Sequence, residues 1–189
     1  MRRVSFYIDG GPLLDGIRGQ GFSVDLDWMA FLRSSTNNAE ISRVHFFISE
    51  LPEQPYPVKH QNQIALLKTL HDQGIEIHLG RTQVVSSIFV DRGIEAAMAT
   101  RLLTDAHSDA FDTFVVVSKR QDLSLPLAAL QEMGKKVEVA FFQYERDPFN
   151  PLHRHCDRTH TITCASVARH VRSGPVPYFS QEMATYEAA

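Results

Sequence analysis

Cysteine is scarce: the 189-residue chain holds two, Cys156 and Cys164. Two thiols make no disulfide framework, which suits a reducing compartment. Long hydrophobic runs are missing as well. Runs such as Phe114–Val117 and Val139–Phe142 fall far short of the roughly 20 apolar residues that cross a bilayer. Val4–Ile8, behind Met1-Arg2-Arg3, is too short for a signal-peptide core and no cleavage site follows it. The expectation is a soluble, cytoplasmic protein with no membrane partner. Charge of one sign is not in large excess either: 19 basic against 22 acidic residues give a net charge of −3. That excludes a strongly basic nucleic-acid binder as a whole-surface reading. It leaves room for a nuclease whose acidic metal site offsets basic groove residues. Three phosphate- and acyl-transfer signatures are also absent: G-x-G-x-x-G after the first strand, a G-K-[ST] loop and a G-x-S-x-G elbow.

What is present is ordinary globular material, with 43% hydrophobic residues, ten glycines and nine prolines. The length fits one domain with a core that needs no staples. Strand-length apolar runs at Val4–Ile8, Val44–Ile48, Ile75–Leu79, Thr113–Val117 and Val137–Phe142 alternate with helical patterns. The helices are expected at Val24–Arg33, from Val58 to Gln73 with Ile64, Leu67 and Leu70 on its apolar face, at Ile94–Ala106, and at Leu123–Met133. Thr159–Thr163 reads as an added edge strand. Strands separated by helices imply right-handed crossovers and a mostly parallel sheet. The fold class is therefore α/β, a three-layer sandwich. The domain is expected over 1–165, with 166–189, which carries Pro175 and Pro177, extended or loosely packed. Gly16–Gly21 reads as a mobile loop.

Ligands of an open parallel sheet bind beyond the carboxyl ends of its strands. Asp9 follows the first strand, Asp122 lies just past the fourth, and Glu95 sits in the first turn of the helix before that fourth strand. Hard Mg²⁺ takes carboxylates plus waters, and paired ions clamp an in-line phosphoryl displacement. The plainer alternative is that Glu95 complements a helix dipole and Asp122 caps the helix from Leu123.

Three segments, in order, resemble the NYN domain, and within it the LabA-like branch of the PIN-like nuclease superfamily. Phe6-Tyr7-Ile8-Asp9-Gly10 is similar to the family's opening I-D-G-x-N turn. Arg92-Gly93-Ile94-Glu95 through Leu103 resembles K-G-V-D-V-x-x-A-x-D-L-L. Val115-Val116-Val117-Ser118, then Asp122, a helix and Gly134-Lys135-Lys136-Val137-Glu138-Val139, resembles L-V-S-G-D-x-D-F followed by G-K-x-V-x-V. Cys156-Asp157-Arg158 is similar to the closing segment. The resemblance implies a PIN-like, Rossmann-like fold and a ribonuclease dependent on Mg²⁺ or Mn²⁺. It further implies Asp9, Glu95 and Asp122 as metal-binding and catalytic residues, with RNA as partner and a homo-oligomer compatible.

The chain departs from that pattern at three places. Pro12 stands for the asparagine of I-D-G-x-N, and Glu95 for the aspartate of K-G-V-D. In S-G-D-x-D, Lys119 replaces the glycine and Arg120 an aspartate. Exchanging a carboxylate for a guanidinium changes the local charge by two, and a fixed cation repels Mg²⁺ and pairs with acids. Two readings stand open. Arg92, Lys119 and Arg120 face phosphate in a nuclease or RNA binder, or Arg120 and Lys119 are internal counter-ions of a non-catalytic domain that binds RNA or a protein. The late His153, His155, Cys156, His160 and Cys164 are zinc-ligand types, but no zinc-finger spacing joins them. They read as a surface turn with Cys164 partly buried.

Overall fold

A run of six buried residues, Val4–Asp9, makes β1 (Arg3–Asp9) a strand covered on both faces, the environment of a central parallel strand. The computed structural model describes residues 3–36, 39–85, 88–108, 110–142, 147 and 149–172. After β1 come α1 (Gly10–Gly19), α2 (Trp28–Ser35), β2 (Glu40–Glu50), α3 (Pro57–Asp72), β3 (Glu76–Val85), β4 (Ile88–Arg92) and α4 (Ile94–Ala106). The chain continues through β5 (Thr113–Val117), a 3-10 turn at Gln121–Leu123, α5 (Ser124–Glu132) and β6 (Lys136–Phe142). A 3-10 turn at Pro151–His155, β7 (Arg158–Ile162) and α6 (Cys164–Ala168) close it. The seven strands form one sheet in the order β4-β3-β2-β1-β5-β6-β7. All neighbours are parallel except β3 and β4.

Alternation along each strand splits the core. Val4, Phe6 and Ile8 face α1, α2 and α3 through Leu13, Ile17, Trp28, Phe31 and Leu70. Tyr7, Phe47, Phe114 and Val116 face α4 and α5 through Met98, Leu102, Leu127 and Leu130. The mostly parallel three-layer α/β architecture expected from the sequence is present. Chain order reverses at β1, where β2 and β3 extend one way and β5, β6 and β7 the other. The crevice of such a sheet opens at that switch point.

Several local expectations need correction. Gly16–Gly21 is not a mobile loop: α1 starts directly after β1 and carries Gly16 in its interior. A Cβ on Gly16 would come within 2.2 Å of Phe142, so the glycine is there for close packing of helix on strand. In α3 the sheet-facing residues are Gln63, Leu66 and Leu70, whereas Ile64 is 53% exposed; Leu66 and Leu70 are the i, i+4 pair that sets the face. The second helix begins later than Val24, at Trp28, because Asp27 caps it by accepting from the Ala30 amide at 3.0 Å. β4 was not expected; its apolar run, Ile88-Phe89-Val90, is only three residues long, and it pairs only on the outer edge of β3. At the other end, Thr163 caps α6 in a capping box, Val167 is buried, and Val171 bridges Leu26. The chain through Arg172 thus folds back over α2, and 173–189 of the expected tail lie outside the described residues.

Candidate functional site

Asp9 ends β1 at the switch point and is 2% exposed. Ser118 follows β5, the neighbouring strand, and its Oγ donates to Asp9 Oδ2 at 3.3 Å. The same Oγ accepts from the Arg120 amide at 3.1 Å, which turns the chain so that the Arg120 side chain enters the edge. There Arg120 Nε donates to Asp9 Oδ2 at 2.5 Å, Nη2 to Asp91 Oδ2 at 3.3 Å, and Nη1 to Glu95 Oε1. Glu95 is delivered by the first turn of α4, which Gly93 opens in the left-handed region at φ 84°. Asp91 comes from the end of β4. One guanidinium therefore gathers three carboxylates from three elements.

The charges do not cancel, since three acids surround one cation and leave a surplus of two negative charges. Burial raises the Asp9 carboxyl above the ordinary carboxylate range, against the pull of the Arg120 hydrogen bond and charge. Burial disfavours the Arg120 charge, but the hydrogen bond and charge of Asp9 and the charge of Glu95 prevail and lift it further. Beside Asp9 a small cleft opens among β1, β5 and β6, lined by Pro12, Leu13, Ser118, Lys119 and Phe142.

Of the residues picked from the sequence, the structure brings Asp9, Glu95 and Arg120 together. Asp122 is exposed in the 3-10 turn after Arg120, and among the described residues no side-chain hydrogen bond or ion pair joins it to these three. It does not cap α5, whose N-cap is Leu123. Arg92 donates to Gln83 Oε1 at 2.9 Å, across β3 and β4. Lys119 is exposed, and its carbonyl accepts from Asn150 Nδ2 at 3.1 Å. Asp91 was missed. Its signal was short but present: an acid directly after the apolar run Ile88-Phe89-Val90 and two residues before Gly93.

A second group of polar side chains lies on the α4 face. His45 Nδ1 is 3.1 Å from His78 Nε2 and 3.4 Å from Glu76 Oε2. Among the described residues, these three offer metal-ligand atoms all within 4.8 Å of one another. Burial lowers the His45 imidazole to about 4 and also lowers that of His78, so both rings are neutral near pH 7. The late histidines and cysteines disperse instead: His160 Nε2 lies 2.6 Å from Glu138 Oε2, and His153 Nδ1 lies 3.4 Å from Thr159 Oγ1. Cys164 is exposed, not partly buried, because it opens α6 on the outer side; Cys156 is the half-buried one.

The sequence model of the NYN domain matches residues 5–163, a span that includes Asp9, Asp91, Glu95 and Arg120. The chain belongs to the NYN domain family. That places it in the PIN-like nuclease superfamily. Its fold is similar to a crystal structure titled a protein of unknown function, VPA0982, from Vibrio parahaemolyticus RIMD 2210633. The two share 17% sequence identity at a TM-score of 0.64, over 85% of this chain and 93% of that one. No curated protein matches. Among the described residues of this NYN domain, no helix is long and apolar enough to cross a membrane.

Proposed function

We propose that this NYN domain acts on RNA in the cytoplasm as a metal-dependent ribonuclease whose acidic centre holds Arg120 as an internal cation. The order of its motifs aligns it with the LabA-like branch. The observation that carries the reading is the convergence of Asp9, Glu95 and Asp91 on one positive centre at the switch point. Carboxylates are the donor type that Mg²⁺ and Mn²⁺ select. Two surplus negative charges attract a divalent ion, while the guanidinium competes for the same oxygens. When bound, the metal supplies a hydroxide at neutral pH and shields the phosphoryl oxygens. The chain's own residues do the rest. Asp9, fixed by Ser118, and Glu95, fixed by α4, hold the centre at the sheet edge. Were a metal to take the acids, Arg120 would be free to hold phosphate alongside Lys119 and Arg92, the arrangement that positions a backbone without reading its sequence. Asp122, exposed in the turn that follows Arg120, is the further acid this reading assigns to the centre.

A second reading is favoured by one observation, that Arg120 engages all three carboxylates at once. In that reading the domain binds RNA or a protein without cutting. A single experiment separates the two: incubate single-stranded RNA with the protein in Mg²⁺ and in Mn²⁺, and compare wild type with Asp9→Asn. Metal-dependent cleavage that Asp9→Asn abolishes supports the ribonuclease. RNA retention without cleavage, in wild type and in Arg120→Asp alike, supports the binding domain.

A further inference from the structure

The geometry points to a second metal site in this protein, a zinc-class centre formed by His45, Glu76 and His78, distinct from the carboxylate edge. Parallel pairing builds it. His45 of β2 lies across from Glu76 of β3, and Phe47 lies across from His78, so the three side chains rise from neighbouring strands on one face. The separations of 3.1 and 3.4 Å from His45 Nδ1 resemble a coordination face. Four ligands arranged tetrahedrally at about 2.0–2.1 Å from Zn²⁺ stand about 3.4 Å from one another. Two imidazoles and one carboxylate form a donor set typical of zinc with an open fourth position, and they suit Mg²⁺ poorly.

The rings are held in place before any ion arrives. His78 stacks on Phe47 with centroids 4.5 Å apart, and Tyr7 packs against His45 at 5.1 Å. The other nitrogen of His45 is fully buried with no hydrogen bond of its own, yet it lies 3.2 Å from Asp105 Oδ2. A carboxylate behind a ligating histidine is the usual device for fixing its tautomer and raising its basicity. Asp105 is itself pinned by Tyr7 Oη and Arg101 Nε, each at 2.9 Å. Glu76 is 46% exposed and His78 half-buried, which leaves the open side toward solvent. Glu95 and Asp105 sit near opposite ends of α4, about 15 Å apart along its axis, so the two centres are separate.

The test uses untagged protein, stripped with chelator and titrated with Zn²⁺ in a calorimeter, with Co²⁺ absorption as an independent readout of coordination. Wild type is expected to bind one Zn²⁺ per chain and to give the intense visible bands of four-coordinate Co²⁺. His78→Ala and Glu76→Gln, both at partly exposed positions that leave the fold intact, are expected to lose at least 100-fold in affinity. Asp105→Asn, at a positioning residue, is expected to lose about 10–100-fold. Cys156→Ser is expected to bind as wild type does. Absence of a stoichiometric site, or binding unchanged in His78→Ala, overturns the assignment. Loss of binding in Cys156→Ser moves the metal to the late histidines and overturns it equally. Asp9→Asn leaves this titration unchanged, so the outcome is independent of the ribonuclease reading.

Discussion

Arg120 Nε lies 2.5 Å from Asp9 Oδ2, and this contact joins the loop after β5 to the last residue of β1. The pair is largely buried, with Arg120 20% and Asp9 2% exposed. A buried ion pair gains little over an apolar substitute, but removing one partner leaves a charge that nothing neutralises. The pair is therefore a poor source of stability and an effective lock on the acidic centre. It also sets the condition any metal must meet, because the same carboxyl oxygens serve both cations.

Arg120→Asp turns that lock into a ligand. The variant loses its internal cation and gathers four carboxylates, so its metal-free stability is expected to fall by about 3–5 kcal/mol. Mn²⁺ is expected to restore part of the loss, since a ligand that binds only the folded state stabilises it. Thermal melting of both proteins across an Mn²⁺ series reads the effect. The variant's midpoint should climb with Mn²⁺ and the wild type's should barely move. Equal shifts would remove Arg120 from competition with metal.

The sequence made much of this legible, for physical reasons that also explain the gaps. β5 and α4 were readable to the residue because a β-branched run and an uninterrupted 3.6-residue pattern leave no competing conformation. Asp9 was readable as a candidate site residue because a buried acid at the end of an apolar strand has few other reasons to be there. α1 was hidden because Gly10, Gly11 and Pro12 are turn-forming residue types; Gly10 is needed because Phe46 presses on the helix there, as Phe142 does at Gly16. β4 and Asp91 were hidden because the Ile88-Phe89-Val90 run is only three residues long, too short to separate a strand from a loop. The His45–His78 contact depends on register between two strands more than 30 residues apart in sequence, which no local pattern encodes.

Gly10 is tested by adding one carbon. A Cβ there would stand 2.2 Å from Phe46 Cε1, and Phe46 cannot retreat because it is fully buried and packs edge-on against Trp28. Gly10→Ala is expected to cost about 1–3 kcal/mol through overpacking. Gly19→Ala, with nothing within 4 Å of its Cβ, is expected to be neutral or slightly stabilising. Urea denaturation of the two variants gives the contrast, and similar losses in both would refute the packing account.

Asp112 gives the pH dependence. The Arg3 guanidinium and the Arg3 amide all donate to its carboxylate, at 2.8–3.2 Å, and hold its carboxyl down at about 2. A carboxylate depressed in the folded state stabilises the fold above its unfolded value of about 3.9, and that contribution is lost as pH falls toward 2. An NMR titration of the Asp112 carboxyl carbon should place its midpoint near 2. In Arg3→Ala the amide donor remains, so the midpoint should rise only part of the way to the unfolded value. A wild-type midpoint near 4 would mean the side chains do not hold this pairing in solution.

Tyr7→Phe isolates the hydrogen bond beneath the histidine pair. Tyr7 is fully buried, and its hydroxyl donates to Asp105 Oδ2 at 2.9 Å, while burial pushes its own ionisation well above the ordinary tyrosine value. The hydroxyl is thus a permanent donor, and its loss removes a bond to a charged acceptor without opening a cavity. The phenyl ring keeps its stacking on Phe114, with centroids 5.6 Å apart. Bonds of this kind contribute about 1.5–3 kcal/mol, and Arg101 still faces Asp105 in the variant, so the expected cost lies toward the lower end. Denaturant melts of Tyr7→Phe, Asp105→Asn and the double variant give the coupling directly. A coupling energy below about 0.5 kcal/mol would show that Tyr7 contributes by packing alone, and that Arg101 by itself is what fixes Asp105 behind His45.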